Sequence, residues 1–113
     1  MGNRVLKESV CTSPNIEQLS WFEEVCFYRL ILQCDDYGRF DARPTLLRAR
    51  LFPLKPEVTR EEVEEALDTL EAVGLIERYT VGEQPYLQLP TWNRHQTIRT
   101  PRMKFPPPIC DNL

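Results

Sequence analysis

Residues 59–89, TREEVEEALDTLEAVGLIERYTVGEQPYLQL, contain a helical pattern followed directly by a strand pattern. The apolar side chains of the first half recur with the helical period, at Val63, Ala66, Leu67, Leu70 and Val73. Thr59 and Glu62 are spaced as a capping box at the start of this helix, and Gly74 is suited to its C-terminal end. Two short alternating runs around Gly82 then predict a β-hairpin.

Two further helices are predicted upstream of this segment. Ser20 and Glu23 form a second capping box, which opens an apolar stretch at residues 21–34. Because only four polar residues interrupt that stretch, we expect a central helix that is buried on nearly all sides. Pro44 is well placed as the first residue of a shorter helix, which Pro53 brings to an end.

The order of the elements predicts the fold. A short strand is expected at residues 38–42, and residues 4–11 have the β character of an N-terminal edge strand. Three main helices followed by a C-terminal hairpin are the plan of a winged helix-turn-helix, a fold of the α+β class, with the hairpin as its wing. We assign residues 1–92 to this domain and residues 93–113 to a basic, proline-rich and partly extended tail.

Composition excludes several classes of protein. The 113 residues carry a net charge of −3 and are 42% hydrophobic, which is typical of a globular domain. We expect a cytoplasmic protein without membrane contact, because no secretory or membrane-spanning apolar segment is present. The four cysteines lack CxxC spacing and the only histidine is His95, so we expect reduced thiols and no metal. We expect no cofactor and no enzymatic activity. Asp35-Asp36 looks like a pair of catalytic carboxylates, but we interpret it as residues of an ordinary turn.

Several stretches resemble a known family. They are CDDYGRFDARPTLLRARLFPL at 34–54, ALDTLEAVGLIERYTVGEQPYLQLPTW at 66–92, NRHQTIR at 93–99 and the opening RVLKESVCTSPNIEQLS at 4–20. Together they resemble phage replication proteins of the replisome-organiser type, which are similar to the winged-helix N-terminal domains of primosomal DnaD-type proteins. The resemblance covers about residues 4 to 105, and none of its motifs is a catalytic signature.

The resemblance implies a role in starting phage or prophage DNA replication. Such proteins bind origin DNA or bring replication proteins such as a helicase or its loader to it, and many continue past this domain. Two other functions remain open: a protein-interaction module that assembles a replisome without touching DNA, and a transcriptional regulator on the same fold. Homo-oligomerisation is also left open.

The charges are grouped in blocks. Residues 41–60 carry a net +3, residues 61–89 a net −7, and residues 90–113 a net +3. The candidate nucleic-acid contacts are the cations in or beside the two positive blocks: Arg39, Arg43, Arg48, Arg50, Lys55, Arg60, Arg94, Arg99, Arg102 and Lys104. Aromatic residues among the last four suit base stacking. The competing interpretation is solvated charge and internal ion pairs, with Trp92 closing the core.

The third helix is acidic. Six carboxylates against Arg60 give it a net −5, so it would be repelled from the phosphates of a major groove. We interpret its acidic face as a solvated surface or as a binding surface for a basic protein partner. The candidate partner-binding residues are Glu61, Glu64, Glu65 and Asp68.

Overall fold

The computed structural model describes residues 3–108, in which a short 3-10 turn at Glu8–Thr12 precedes helices and strands. The helices are α1 (Pro14–Glu17), α2 (Trp21–Gln33), α3 (Pro44–Leu51), α4 (Arg60–Ala72) and α5 (Trp92–His95). The strands are β1 (Arg39–Asp41), β2 (Glu77–Val81) and β3 (Gln84–Gln88). In this part of the chain, no helix is long and apolar enough to cross a membrane.

Local sequence signals set the ends of the two longest helices. At the start of α2, the Ser20 hydroxyl accepts a hydrogen bond from the Glu23 N–H, and the Glu23 carboxylate accepts one from the Ser20 N–H at 2.8 Å. Thr59 and Glu62 make the same reciprocal pair at the start of α4. Gly74 follows α4 with a φ of +83°, a left-handed conformation that favours glycine. Both capping boxes and the glycine stop are therefore confirmed.

A three-stranded antiparallel sheet in the order β1-β3-β2 completes this α+β fold. β2 and β3 form the expected C-terminal hairpin, with Val81 opposite Gln84 on either side of a two-residue turn. β1 adds to the other edge of β3 and aligns Phe40 with Leu87. The short strand and the hairpin are thus both confirmed.

The core lies where α2, α3 and α4 pack together and meet one face of the sheet. Each element contributes a fully buried leucine: Leu30 from α2, Leu47 from α3, Leu70 from α4 and Leu87 from β3. Packing between the three helices and the sheet therefore joins residues that are far apart in sequence into one hydrophobic cluster.

The expectation that α2 is buried on nearly all sides was wrong. Leu30 and Ile31 are buried, but Trp21 is 85% exposed and Leu32 is 55% exposed. α2 packs against α3 and α4, and the described residues leave the side of α2 that carries Trp21 and Leu32 exposed to solvent. The uncovered side carries the exposed residues Trp21, Val25 and Leu32, and the half-buried Tyr28 lies in the same helical row, since their spacing of four, three and four residues follows the helical period.

The N-terminal edge strand was also predicted wrongly. Residues 3–7 have no regular secondary structure, and the 3-10 turn follows them. The backbone of Val5 pairs with a side chain instead of a strand. The Gln96 amide oxygen accepts from the Val5 N–H at 3.0 Å, and the Gln96 amide nitrogen donates to the Val5 carbonyl at 2.8 Å. The Gln96 side chain therefore occupies both the N–H and the carbonyl of Val5, which are the groups that a neighbouring strand would pair with.

Candidate nucleic-acid interface

Two of the candidate phosphate-binding arginines are engaged in ion pairs. Arg43 lies 2.8 Å from the Asp41 carboxylate, and Arg60 lies 2.9 Å from that of Glu61. Hydrogen bonding to these carboxylates raises the pKa of both arginines. A phosphate would have to compete with an existing anion at either position.

Two other arginines make contacts that support the fold. The Arg48 guanidinium donates to the carbonyls of Val58 and Lys55, each at 2.8 Å, and so ties α3 to the connection that leads into α4. Arg39 lies over the Tyr37 ring at 5.3 Å, and its Nε donates to the Gln88 side chain at 3.3 Å. Neither cation is neutralised by these contacts, but each has part of its hydrogen-bonding capacity committed.

The remaining cations form two groups. Arg50, Lys55, Arg94 and Arg99 are exposed, and their side chains make no hydrogen bond or ion pair within residues 3–108. Arg50 and Lys55 belong to the end of α3 and the connection after it. Arg102 and Lys104 are also exposed, but their backbones are held by the turn after α2, as described below. Exposed positive charge thus remains in both basic stretches.

The acidic face of α4 is partly neutralised from the hairpin. Arg78 on β2 lies 2.6 Å from the Asp68 carboxylate and 2.7 Å from that of Glu71, and hydrogen bonding to Arg78 lowers the pKa of Glu71. The hairpin cation Arg78 is therefore already paired with carboxylates. Glu64 and Glu65 are exposed, and their carboxylates have no hydrogen bond or ion pair in the described part of the chain.

Asp35 does more than close a turn. Its Oδ1 accepts from the backbone N–H groups of Tyr37 at 2.9 Å and Arg39 at 3.1 Å, which is the expected turn chemistry. Its Oδ2 accepts from those of Lys104 at 2.9 Å and Phe105 at 3.1 Å. This buried carboxylate therefore anchors the tail, which is about 70 residues away in sequence. No local sequence pattern predicts that contact.

Asp36 joins both ends of the described chain to the same turn. Its carboxylate lies 3.0 Å from the Arg4 guanidinium and accepts from the Arg102 N–H at 3.0 Å. These two contacts, the backbone bond first, lower the pKa of Asp36. The Asp36 carbonyl accepts from the indole N–H of Trp92 at 2.9 Å, and Arg4 covers the indole ring. Trp92 is buried, in agreement with the interpretation that it closes the core.

The turn after α2 and the segment around α5 therefore contact each other. Residues 35–38 and 92–96 meet where Gly38 lies against the Trp92 ring. Arg4 and Gln96, which sequence reasoning missed, hold the N-terminal segment against this junction. These contacts therefore join three segments that are distant in sequence at one junction.

A small apolar cavity of about 100 Å³ lies between the N-terminal segment, α2 and α5. Val10, Phe27, Ile31 and Trp92 contribute to its walls, and His95 lies at its edge. The volume is well below the ~300–1,000 Å³ of ordinary ligand pockets. We therefore do not treat this cavity as a binding site.

The cysteines differ in their burial. Among the described residues, no group of three or more metal-ligating side chains is present. Cys11 is exposed, whereas Cys26 and Cys34 are buried. Burial raises the pKa of Cys26 to about 12 and raises that of Cys34 as well. Cys110 lies outside the described residues.

We expect this difference in burial to control thiol reactivity. At neutral pH, iodoacetamide should alkylate Cys11 in the native protein, because its thiol is exposed to the reagent, whereas the other two thiols are buried and burial raises their pKa. Cys26 and Cys34 should react only after denaturation. Peptide mass mapping of native and urea-treated samples measures this directly. Rapid native labelling of Cys34 would contradict the packing at the end of α2.

Comparison with known proteins gives no match: no family model, no curated protein and no solved structure matches this chain.

Proposed function

We propose that this chain is a winged-helix domain of a phage replication-initiation protein and that it binds DNA. The order of α2, β1, α3, α4 and the hairpin supports the fold, because a winged helix places its first strand beside the second strand of the wing. The β1-β3-β2 order has this arrangement. The resemblance of the sequence to replisome-organiser proteins supports the biological role.

The exposed cations of the two basic stretches carry the DNA-binding part of the proposal. Arg50 and Lys55 in one stretch, and Arg94 and Arg99 in the other, have no anionic partner among residues 3–108. Such side chains bind phosphates by displacing condensed counterions. Because the acidic α4 would be repelled from the major groove, contact occurs through α3, the connection after it and the tail. Sequence selectivity is then weak, or arises from several copies acting together.

A salt titration tests this proposal. We expect the protein to bind mixed-sequence DNA at low salt, with an affinity that falls steeply toward about 0.2 M salt. Replacing both Arg50 and Lys55 by alanine should flatten the log–log salt slope by about 1.8, at ~0.9 for each lost phosphate contact. Fluorescence anisotropy with labelled duplex and single-stranded DNA measures both quantities. Arg48 is left intact because it holds the α3–α4 connection.

The matched control replaces Glu64 and Glu65 by alanine. Both side chains are exposed on α4, so their removal should leave DNA binding unchanged or slightly stronger. Absence of binding even at low salt would refute the DNA proposal for this chain. An unchanged salt slope in the Arg50 and Lys55 variant would refute the assigned contact surface.

A protein-interaction module is the second candidate function. The specific observation in its favour is the uncovered apolar side of α2, where Trp21 is 85% exposed. Large exposed apolar groups in a row are typical of protein-binding surfaces. On this hypothesis, Trp21→Ala or the Glu64 and Glu65 double variant weakens binding to a replication helicase or its loader in a pull-down experiment. The Arg50 and Lys55 variant then leaves that interaction unchanged.

A further inference from the structure

Aromatic contacts hold the tail against the sheet around Phe105. Tyr79 and Tyr86 are cross-strand neighbours on the hairpin, with their ring centroids 5.9 Å apart. Phe105 packs its ring edge-on against Phe40 at 5.2 Å and lies 6.3 Å from Tyr86. The Tyr79 hydroxyl donates to the Pro106 carbonyl at 2.6 Å. These aromatic side chains thus contact an aromatic residue and the proline that follows it.

The backbone of the same segment is held by two carboxylates. Asp35 accepts from the N–H groups of Lys104 and Phe105, and Asp36 accepts from that of Arg102. Asp35 is only 1% exposed, so its position is set by the fold. Hydrogen bonds to the backbone together with an aromatic side chain seated among other rings are features of peptide-binding sites.

The tail is attached to the domain by a short tether. Residues 97–101 make no hydrogen bond within the described residues and are mostly exposed. Thr100, Pro101 and Met103 are exposed, whereas Phe105 and Pro106 are half-buried. The contacts that hold the tail are therefore concentrated in residues 102–106, and the residues before them only connect that segment to α5.

We propose that the groove formed by Phe40, Tyr79, Tyr86 and the Asp35-Asp36 turn is a peptide-binding site for the tail of a second copy. Its occupant is residues 99–108, RTPRMKFPPP, of which residues 102–106 make the contacts described above within the same chain. Exchange of an identical segment between copies needs no new contacts, because the intramolecular complex already has them. The positive charges of the segment also suit a groove that contains two carboxylates.

The short connection between α5 and the tail segment determines when two copies exchange their tails. A short flexible connection gives the chain's own tail an effective concentration of the order of millimolar. A dilute protein therefore keeps its own tail in the groove. Copies that are held side by side, or a copy whose own tail is defective, take the segment from a neighbour. The groove then links one copy to the next.

A labelled peptide of residues 99–108 tests the proposal in the full-length chain. Phe105→Ala removes the aromatic anchor of the chain's own tail and leaves the groove intact. We expect the peptide to bind this variant about ten- to hundred-fold more tightly than the wild-type chain, whose own tail competes at ~millimolar effective concentration. Fluorescence anisotropy of the peptide measures both affinities.

The controls separate the groove from nonspecific attraction of a basic peptide. A peptide carrying Phe105→Ala should not bind, although its charge is unchanged. Adding Tyr79→Phe to the open chain should weaken binding of the intact peptide several-fold, because the bond to Pro106 is lost. Equal affinity for the wild-type and Phe105→Ala chains, or binding to neither, overturns the proposal. Circular dichroism verifies folding, and Phe105→Leu replaces Phe105→Ala if that variant unfolds.

Discussion

Replacing Gly38 by alanine is expected to lower the free energy of unfolding by about 2 to 5 kcal/mol. Gly38 has a φ of +78°, a conformation that costs an L-residue roughly 1–2 kcal/mol. An added Cβ would also lie 2.6 Å from two atoms of the Trp92 ring, which is closer than packed atoms allow. Moving a buried tryptophan adds an overpacking cost of about 1–3 kcal/mol. Urea denaturation followed by circular dichroism measures the loss.

Gly74 provides the matched control for Gly38. Its φ of +83° is almost the same, but no atom lies within 4 Å of where its Cβ would be. Gly74→Ala should therefore show only the backbone cost of roughly 1–2 kcal/mol. The difference between the two variants isolates the contact with Trp92. Equal losses would mean that the ring adjusts without cost and that the 35–38 turn does not depend on close packing.

Replacing Asp35 by alanine is expected to destabilise the protein by about 3 to 5 kcal/mol. The substitution removes the acceptor for four backbone N–H groups, and each buried donor left unpaired costs about 1–3 kcal/mol. We expect a value near the lower end of the sum of these four costs, because the two N–H groups of the tail can form hydrogen bonds with water once the carboxylate is removed. The loss is a large part of the ~5–15 kcal/mol that usually stabilises a small domain. The shift of the urea denaturation midpoint, with an unchanged dependence of the unfolding free energy on urea concentration, measures this loss.

Asp36 is the control for Asp35. It carries the same charge at the next position, but its side chain is partly exposed and accepts from one backbone N–H and from Arg4. Asp36→Ala should therefore cost clearly less than Asp35→Ala. A larger loss at Asp36 would show that the ion pair with Arg4, and not the anchoring of the turn and tail, dominates at this site.

The candidate nucleic-acid surface was predictable only in part. The sequence shows where positive charge is concentrated, but not which cations are already engaged. Arg43 and Arg60 pair with acids one or two residues away, which is the competing interpretation of internal ion pairs. Arg48 bonds to carbonyls of a loop whose path depends on how α3 packs on α4. The path of that loop depends on the packing of the whole core. The exposure of Arg50 and Lys55 could therefore be seen only in the tertiary structure.

By itself, the sequence determined the elements whose signals are local. The capping boxes at Ser20 and Thr59, the stop at Gly74 and the hairpin depend on residues within a few positions of one another, so their patterns are visible in a short window. Only the tertiary structure decided which side of α2 is covered and what pairs with Val5. Those contacts join segments that are tens of residues apart. The sequence offers many chemically similar partners for each of these residues, and only the packing of the core selects one of them.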